Sequence, residues 1–391
     1  MSELDMAVEA KANSANSQHH CLVSCDVLLS GLKKVAGVVE SSQVLQVLSH
    51  VHMQISGSQL IMMASDSEVE LLTSVRLFEP AATAFKMAVS CRKLLDVCRT
   101  LPGQANMALS YTPGWLSIQA DRASFKLATL PPETFPVMQI ESSDAAVTLP
   151  EQQLKTAIQK THFAMAHQDV RFFLNGLHVA FRAGQLVATS TDGHRLARCT
   201  LEEVVEPSID THCIIPRKAI LELLRLLEET PNDVQLTMTA RHVRFCAQQF
   251  TLTTTLLEGQ FPACDRLLSM PEACHTAIID CAEFKQVLSR AAILSHEKFK
   301  GARLGFAHEK LEITANNAEQ EKSEDGMAVA YQGEAMALAF NINYLIDVLN
   351  VLTGTKVAMH LSGGQSSVLL TEPNQAESSV QSAFLIMPLT L

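Results

Sequence analysis

One short segment of the chain has the residue types of an acid–base centre. Asp192, His194 and Arg195 stand together in the sequence Asp-Gly-His-Arg, and such groups can transfer a proton and hold an anion. The corresponding positions in two similar stretches, Asp66-Ser-Glu68 and Asn317-Ala-Glu319, lack the histidine. No nucleophile elbow, phosphate-binding loop or metal-ligand spacing occurs. An enzyme is therefore the weaker hypothesis, and we predict a non-catalytic protein.

Histidine and cysteine cluster near the start of the chain, at His19, His20, Cys21 and Cys25. The two cysteines are not spaced as Cys-x-x-Cys, and no second ligand pair follows at the spacing of a zinc site. Other cysteines lie in apolar or strand-like stretches, where a free thiol acts as a small hydrophobic side chain: Cys98, Cys199, Cys213 and Cys246. We expect free thiols, no metal and no cofactor.

The elements that position such residues recur along the chain. Phe135-Pro136, Phe261-Pro262 and Met387-Pro388 are separated by steps of 126 residues. Three further sets of landmarks keep steps of 125 or 126: Leu60, Leu186 and Leu311; Asp66, Asp192 and Asn317; Leu95, Ile220 and Leu345. Because this period is the length of a domain, we predict one domain type used three times. Such repetition favours a molecule that builds symmetry over an enzyme.

Within each copy, helical and strand patterns alternate. The first helix pattern has apolar stripes at Leu28, Leu32, Val35 and Val39; at Leu154, Ile158 and His162; and at Phe284, Val287, Leu288 and Ala291. The second helix is predicted over 90–101, 216–228 and 341–352, with Ser90, Pro216 and Asn341 at its start. With about eight strands per copy, these patterns predict an α+β fold with two helices on an antiparallel sheet in each copy.

The predicted limits are 1–18 for a disordered extension, then 19–144 (copy 1), 145–272 (copy 2) and 273–391 (copy 3). The 391 residues are 47% apolar with a mean hydropathy of +0.14, which suits three cores. The chain has no apolar run long enough for a membrane span, and its first 18 residues are not a signal peptide, so we expect a cytoplasmic protein. A net charge of −11 argues against a broad basic surface but permits a local one.

Several stretches resemble bacterial DNA polymerase III β subunits, the DNA sliding clamps. The matching stretches are 167–176 (HQDVRFFLNG), 191–197 (TDGHRLA), 214–218 (IIPRK), 291–295 (AAILS), 297–301 (EKFKG), 314–317 (TANN) and Met387-Pro388. The resemblance runs from about Cys21 to Leu391. It implies a head-to-tail homodimer that closes into a ring of six similar domains around double-stranded DNA. It also implies a processivity factor that tethers the replicative polymerase without chemistry of its own.

The resemblance implies three sets of site residues. Weak, sequence-independent phosphate contacts would come from Arg92, Lys93, Arg99, His167, Gln168, Arg171, Arg217, Lys218, Arg225, Lys300 and Arg303. A pocket for short hydrophobic peptides of the polymerase α subunit, the clamp loader and other proteins with a clamp-binding motif would use Leu174, Thr191, Gly193, His194, Arg195, Leu196, Pro262, Arg266, Leu267, Asn341, Tyr344, Ser367, Leu385, Ile386, Met387, Pro388 and Leu389. The joint between subunits would use Lys93, Arg122, Phe125, Leu127, Arg290, Ile293, Leu294, Glu319, Glu321 and Glu324.

The chain departs from the family pattern at a few places. Residues 39–46 lack the usual arginine and proline, and Gln365 and Thr390 alter the pocket rim. Trp115, Gln119 and Ser124 stand where relatives often have bases, and Lys322 interrupts the facing acidic set. Two alternatives therefore stay open: a divergent clamp paralogue used in repair or by a mobile element, and a scaffold that uses the domains as an open monomer.

Overall fold

The structure, a computed structural model, describes most of the chain. The described residues are 19–39, 45–139, 145–202, 204, 209–269, 274–362, 366–373, 375 and 378–389. The N-terminal extension, most of 39–46, the predicted boundaries near 142–144 and 271–272, and positions 365 and 390 lie outside them. The limits of the three copies therefore stay a prediction. Two compact units are present: Met1–Thr148 with Asn232–Thr255 (unit 1), and Leu149–Pro231 with Leu256–Leu391 (unit 2).

Each copy contains eight strands among the described residues. Copy 1 has β1 His19–Ser24, β2 His50–Ser56, β3 Gln59–Ser65, β4 Val69–Arg76, β5 Phe85–Ser90, β6 Asn106–Thr112, β7 Trp115–Ala120 and β8 Ala123–Leu130. Copy 2 has β9 Ala145–Pro150, β10 Gly176–Arg182, β11 Gln185–Thr191, β12 Arg195–Leu201, β13 Thr211–Pro216, β14 Asp233–Met238, β15 His242–Cys246 and β16 Thr251–Thr255. Copy 3 has β17 His275–Asp280, β18 Gly301–Ala307, β19 Lys310–Asn316, β20 Lys322–Ala328, β21 Met336–Asn341, β22 Lys356–Leu361, β23 Val368–Thr371 and β24 Val380–Ile386.

Two longer helices accompany the strands of each copy, as predicted. They are α1 Cys25–Val35 and α2 Cys91–Thr100, α3 Glu151–Thr161 and α4 Arg217–Leu226, and α6 Cys281–Ile293 and α7 Ile342–Val351. A single-turn helix, α5 Asp265–Leu268, follows the second Phe-Pro dipeptide. Short 3₁₀ helices occupy Gln46–Ser49, Pro132–Thr134, His162–Ala164 and Phe172–Leu174.

The helices follow their apolar stripes, with two differences from prediction. Leu28, Leu32 and Val35 are buried, but α1 ends at Val35 and Val39 is not helical. The N–H of Ala36, the residue after Val35, donates to the carbonyl of Leu32 and closes the last turn of the helix. His162 likewise lies beyond α3, in a 3₁₀ turn. Because buried apolar residues also continue after a helix ends, the stripe alone overestimated its length.

Antiparallel pairing joins neighbouring copies within each unit. Unit 1 contains a sheet in the order β1-β6-β7-β8-β5-β2-β3-β4-β16-β15-β14-β9, in which β4 of copy 1 pairs with β16 of copy 2. Unit 2 contains the order β13-β10-β11-β12-β24-β23-β22-β17, in which β12 of copy 2 pairs with β24 of copy 3. A separate sheet of unit 2 has the order β20-β19-β18-β21. We call the β4–β16 pairing the first junction and the β12–β24 pairing the second junction.

The core of unit 2 extends across the second junction. Phe284, Phe306, Phe340 and Phe384 are fully buried in one cluster with Ala197 of β12. The ring of Phe163, from copy 2, packs 6.0 Å from that of Phe384. Because apolar area buried there is worth about 25 cal/mol per Å², copies 2 and 3 hold a fixed register at this junction, and the residues around it can form a precise site.

Candidate functional site

A second apolar cluster, distinct from the main core, lies at the second junction. It consists of buried Leu196, Cys264, Leu369 and Leu385, with Phe261 and Leu268 packed against it. Pairing of Leu196 with Leu385 joins its two strands. The segments that border it, 262–268 and 387–389, carry the exposed apolar side chains of Leu267 and Met387. We call this cluster and its bordering segments the groove.

Charged residues fix the short helix that borders the groove. Arg198 on β12 donates to the carboxylate of Asp265 at 2.6 Å, and Arg182 on β10 lies 3.9 Å from it. The Arg198 guanidinium holds the pKa of Asp265 below its usual range. These contacts tie α5 to the sheet while Leu267 stays 55% exposed. An apolar side chain that is held in place yet uncovered is typical of a recognition surface.

Arg195 precedes Leu196 of the groove on β12 and is held by several contacts. Its Nε donates to Asp192 Oδ2 at 3.0 Å, and its guanidinium carbon lies 4.4 Å from the centre of the Tyr344 ring. Burial raises the pKa of Tyr344, and Asp192 raises it further, so the phenol is neutral at physiological pH. Two more donors of Arg195 contact residues that the sequence prediction missed: Nη1 to Asp347 at 2.5 Å and Nη2 to the carbonyl of Phe163 at 2.6 Å.

The Asp-Gly-His-Arg segment is a structural turn. Oδ1 of Asp192 accepts from the backbone N–H of His194 at 2.9 Å and of Arg195 at 3.0 Å. Asp66 accepts in the same way from the N–H groups of Glu68 and Val69, at 2.8 and 2.6 Å. The repeated aspartate therefore shapes a hairpin turn in both copies, and its carboxylate is already occupied by donors.

The turn connects the groove to a neighbouring loop. Gly193 has φ +90°, and a Cβ there would lie 3.0 Å from Nη2 of Arg171, so glycine is needed for the conformation and lets the Arg171 side chain lie close to the turn. The same Nη2 lies 3.4 Å from the carbonyl oxygen of Asp192. On the other side, the carbonyl of His194 accepts from the N–H of Met387 at 2.9 Å. One turn thus positions residues of both the loop and the groove.

The other predicted pocket residues fall into three environments. Leu174, Thr191 and Ile386 are buried, and Ile386 belongs to the main core. The half-buried residues are Asn341, Ser367, Pro388 and Leu389, and the exposed ones include Pro262 and Arg266. Asn341 accepts from the N–H of Asn343 at 2.9 Å and so caps α7, a structural role.

The predicted DNA-contacting residues divide by availability. Arg92, Lys93, His167, Gln168 and Arg303 are exposed, and none of them forms an ion pair with a residue that the structure describes. Pairs on the same element hold Arg99 to Asp96 at 3.4 Å and Arg225 to Glu222 at 2.5 Å. Lys218 and Lys300 are half-buried. The first group is the better placed to meet phosphate, because its members need not break an ion pair.

Arg171 and Arg217 are the most constrained of the set. Arg171 donates to both oxygens of Asp169, at 3.0 and 2.9 Å, which lowers the pKa of Asp169 to about 2. Arg217 is half-buried and donates to the carbonyl of Met165 at 3.1 Å. Burial, with Arg195 nearby, lowers its pKa. These two arginines therefore also organise the loop between α3 and β10.

That loop carries apolar residues that the sequence prediction left out. Val170 is 87% exposed and Phe172 is 72% exposed. Both flank Arg171, which is paired with Asp169. An apolar residue in a polar loop lacks the periodic neighbours that would bury it, and this signal was available in the sequence.

The predicted joint residues lie at two open strand edges. β8 pairs with β7 along its length, but with β5 only at Thr129 and Leu130, so the edge from Ala123 to Ala128 has no partner strand among the described residues. β20 is an end strand of its sheet. Phe125 and Leu127 on β8 are half-buried. An open edge with apolar side chains is a surface that another strand can extend.

The other joint residues differ in their exposure and in the partners that they already have. Ile293 at the end of α6 is 77% exposed, and Leu294 is half-buried. Lys93, Arg122 and Glu319 are exposed. Three others already have partners in their own chain: Arg290 with Asp325 at 2.6 Å, Glu321 with Asn317 at 2.5 Å, and Glu324 with Lys322. Their contribution to a joint is correspondingly smaller.

The remaining predictions are free thiols, no metal site and no membrane span. All ten cysteines are free thiols, and burial raises the pKa of Cys21 to about 11. His19 and His20 contact Thr83 and Ser110 at 2.8 and 2.7 Å. Among the described residues, no group of three His, Cys, Asp or Glu side chains is arranged to hold a metal ion. No described helix is long and apolar enough to cross a membrane.

Three family models match successive parts of the chain. They are the N-terminal, central and C-terminal domains of the DNA polymerase III beta subunit, over residues 20–139, 148–263 and 270–389. The chain belongs to the DNA polymerase III beta subunit family. It is a DNA sliding clamp, a non-catalytic processivity factor of polymerase III, with the three clamp domains predicted from its repeats.

Relatives and solved structures agree over nearly the whole length. The beta sliding clamp of Pseudomonas putida is 39% identical over 373 residues, 95% of this chain and 100% of the relative. That of Escherichia coli K12 is 36% identical over 368 residues, 93% of this chain and 98% of the relative. A crystal structure of the Pseudomonas aeruginosa clamp bound to griselimycin has a TM-score of 0.90 at 37% identity, covering 96% of this chain and all of that one.

Proposed function

We propose that two copies of this chain join head to tail into a ring around double-stranded DNA and tether the replicative polymerase through the groove. The groove carries this proposal, because Leu267 and Met387 stay exposed while the Met387 segment is hydrogen-bonded to the turn that ends at Arg195. Its occupants would be short hydrophobic segments of the polymerase α subunit, the clamp loader and other clamp-binding proteins. Griselimycin, bound by the relative from P. aeruginosa, would take the same place. These partners also favour a cytoplasmic location.

Two features support the joint. The open edge of β8 carries Phe125 and Leu127, and Ile293 is exposed beside the end strand β20. Pairing β8 of one subunit with β20 of the other would satisfy both edges. Apolar contacts would supply most of the stability, since exposed ion pairs contribute only about 0–1 kcal/mol each.

Weak phosphate contacts suit a protein that is held on DNA by closure of a ring. Arg92, Lys93 and Arg303 are exposed and available for such contacts, while the chain as a whole carries −11 charges. Contacts to phosphate carry no sequence information, so the ring could slide. Retention would then depend on the topology of the DNA rather than on affinity.

The experiment that tests this proposal loads the protein onto nicked circular DNA with a clamp loader and ATP. In gel filtration, wild-type protein should elute together with the circular DNA. After a restriction enzyme has linearised the DNA, the protein should elute separately from it. Ile293→Ala with Leu294→Ala should elute as a monomer in light scattering and should not stay on the circle. Lys285→Ala, an exposed change on the same helix, is the matched control. Equal loss from circular and linear DNA would exclude topological retention, and a dimeric double variant would exclude this joint.

A further inference from the structure

The guanidinium of Arg195 is held from three directions. Asp192, Asp347 and the carbonyl of Phe163 each accept one of its N–H groups, at 3.0, 2.5 and 2.6 Å. Its flat face lies over Tyr344, and its side chain is only 13% exposed. Arginine has five N–H donors, so two remain for a ligand or water. A group fixed on three sides has already lost its side-chain entropy and binds a ligand at lower cost.

One helix supplies two of these contacts. Tyr344 and Asp347 are three residues apart on α7, a spacing that places both on one helix face. The ring therefore supports the guanidinium from below while the carboxylate holds its edge. Hydrogen bonds between charged groups are about twice as strong as neutral ones, so the contact with Asp347 contributes most to fixing the edge that faces copy 3.

The position of Arg195 is transmitted to the groove through the backbone. Arg195 ends the turn that begins at Thr191, whose hydroxyl donates to the Arg195 carbonyl at 2.6 Å. Within that turn, the His194 carbonyl accepts from the N–H of Met387 at 2.9 Å. A displacement of Arg195 would therefore move the segment that presents Met387, which is 45% exposed in the groove.

We propose that Asp347 is a positioning residue for the peptide groove, acting through Arg195. It holds the guanidinium flat on Tyr344 and thereby fixes the turn and the Met387 segment in the arrangement that binds a ligand. This inference rests on the proposed function, that the groove binds short hydrophobic ligands. It goes further in assigning ligand affinity to a carboxylate of α7 that need not contact the ligand.

Griselimycin binding, measured by isothermal titration calorimetry, tests the inference in steps. Wild-type protein should bind, and Leu267→Ala should bind more weakly, which locates the ligand in the groove. Asp347→Ala should raise the Kd about tenfold, the effect expected for loss of one charge-assisted hydrogen bond. Asp347→Asn, which keeps an acceptor oxygen, should have a Kd between those of wild type and Asp347→Ala. Asn350→Ala, an exposed change on the same helix, should match wild type.

A double-mutant cycle separates positioning from general stability. In the Arg195→Ala background, Asp347→Ala should change the Kd less than about twofold, because the group through which it acts is gone. The same tenfold loss in both backgrounds, or wild-type affinity of Asp347→Ala alone, would overturn the inference. Absence of griselimycin binding by wild type, or full affinity of Leu267→Ala, would instead overturn the proposed groove.

Discussion

The two junctions use equivalent strand positions in opposite ways. At the first junction Glu70 pairs with Thr253, and at the second Leu196, 126 residues later, pairs with Leu385. Glu70 is only 2% exposed, and its carboxylate accepts from the N–H of Met138 at 2.8 Å. The segment after the first Phe-Pro dipeptide is thus hydrogen-bonded onto the junction. The apolar pair at the second junction makes no such bond; there the segment forms α5, which Arg198 of β12 holds through Asp265 at the edge of the groove.

A second contrast involves two lysines that are also 126 residues apart. Lys34 at the end of α1 donates to the side chain of Gln249, which is exposed. Lys160 at the end of α3 is 5% exposed and donates to the carboxylate of Glu372 at 2.8 Å. The lysine position is kept, and the contacts that the structure describes are with an exposed amide in copy 1 and with a half-buried carboxylate in copy 3. The second junction, which has the groove, is therefore also held by an ion pair between buried Lys160 and half-buried Glu372.

Breaking that pair is the largest effect we predict. Lys160→Met leaves Glu372, whose side chain is 18% exposed, without its cation. Removing one partner of a buried ion pair typically costs about 3–5 kcal/mol. We expect a loss of that size in the free energy of unfolding, measured with urea and circular dichroism.

The first junction provides the matched control for this prediction. Lys34→Met should cost less than Lys160→Met, because Lys34 is more exposed than Lys160 and its contact with Gln249 is to a neutral, exposed amide. Lys160→Met combined with Glu372→Leu should recover most of the loss, since no buried charge is then left alone. Equal losses for the two lysine variants would show that the junctions do not differ in this way.

Acidification should destabilise the region beside the second junction through His178. The expected loss in the free energy of unfolding is smaller than that of Lys160→Met. The His178 ring stacks 4.9 Å from that of Phe261. Burial lowers its pKa to about 4, and His212, Arg198 and Arg182 add to the shift. Because the folded pKa lies below the ordinary 6.5, this stability is present above pH 6.5 and is lost as the pH falls toward 4. Between pH 7.5 and pH 5, the free energy of unfolding of the wild type should fall by about 2 kcal/mol more than that of His178→Gln.

His52 is the equivalent histidine of copy 1, 126 residues before His178. It lies 5.5 Å from the Phe135 ring, and burial, with Lys86 nearby, lowers its pKa. Urea unfolding of wild type, His178→Gln and His52→Gln at pH 7.5, 6 and 5 would compare the two sites. If the free energy of unfolding of the wild type changed with pH in parallel with that of His178→Gln across this range, the acid sensitivity would not come from His178.

Local patterns in the sequence were sufficient for the repeat and its elements. Ser90 and Asn341 directly precede α2 and α7, and the side chain of Asn341 caps its helix, whereas that of Ser90 makes no capping hydrogen bond. The repeated aspartates were visible as landmarks, but their role was not. Asp66 and Asp192 each accept hydrogen bonds from two N–H groups of their own turn, and only the three-dimensional structure shows this shared structural role.

The residues that distinguish the junctions could not be found from local pattern. Glu70 occupies a strand position where periodicity gives no sign of a buried carboxylate. Arg195 and Asp347 are 152 residues apart, and Lys160 and Glu372 are 212 apart. A salt bridge depends on tertiary packing, and neither partner's neighbours in the sequence indicate it. The prediction therefore named Arg195 and Tyr344 in the pocket but omitted Asp347 between them.

The smallest predicted effect concerns Glu70 itself. Glu70→Leu would leave the N–H of half-buried Met138 unpaired, which should cost about 1 kcal/mol, whereas Glu70→Gln keeps an acceptor. Burial raises the pKa of Glu70 above the ordinary 4.5, despite the Met138 N–H and Arg244. Since the folded state then holds the proton more tightly, wild type should lose stability relative to Glu70→Gln as the pH rises above 4.5.

Glu70→Leu combined with Thr253→Leu would give the first junction the same Leu–Leu pair as the second. If an apolar pair alone created a binding groove, this variant would bind two molecules of griselimycin per chain. We expect one, because Phe135 remains only 5% exposed in the cluster beneath the Phe-Pro segment, and the corresponding turn of copy 1 has Val69 where copy 2 has Arg195. A stoichiometry of two in calorimetry would show that the polar pair, rather than the surrounding backbone, is what keeps the first junction closed.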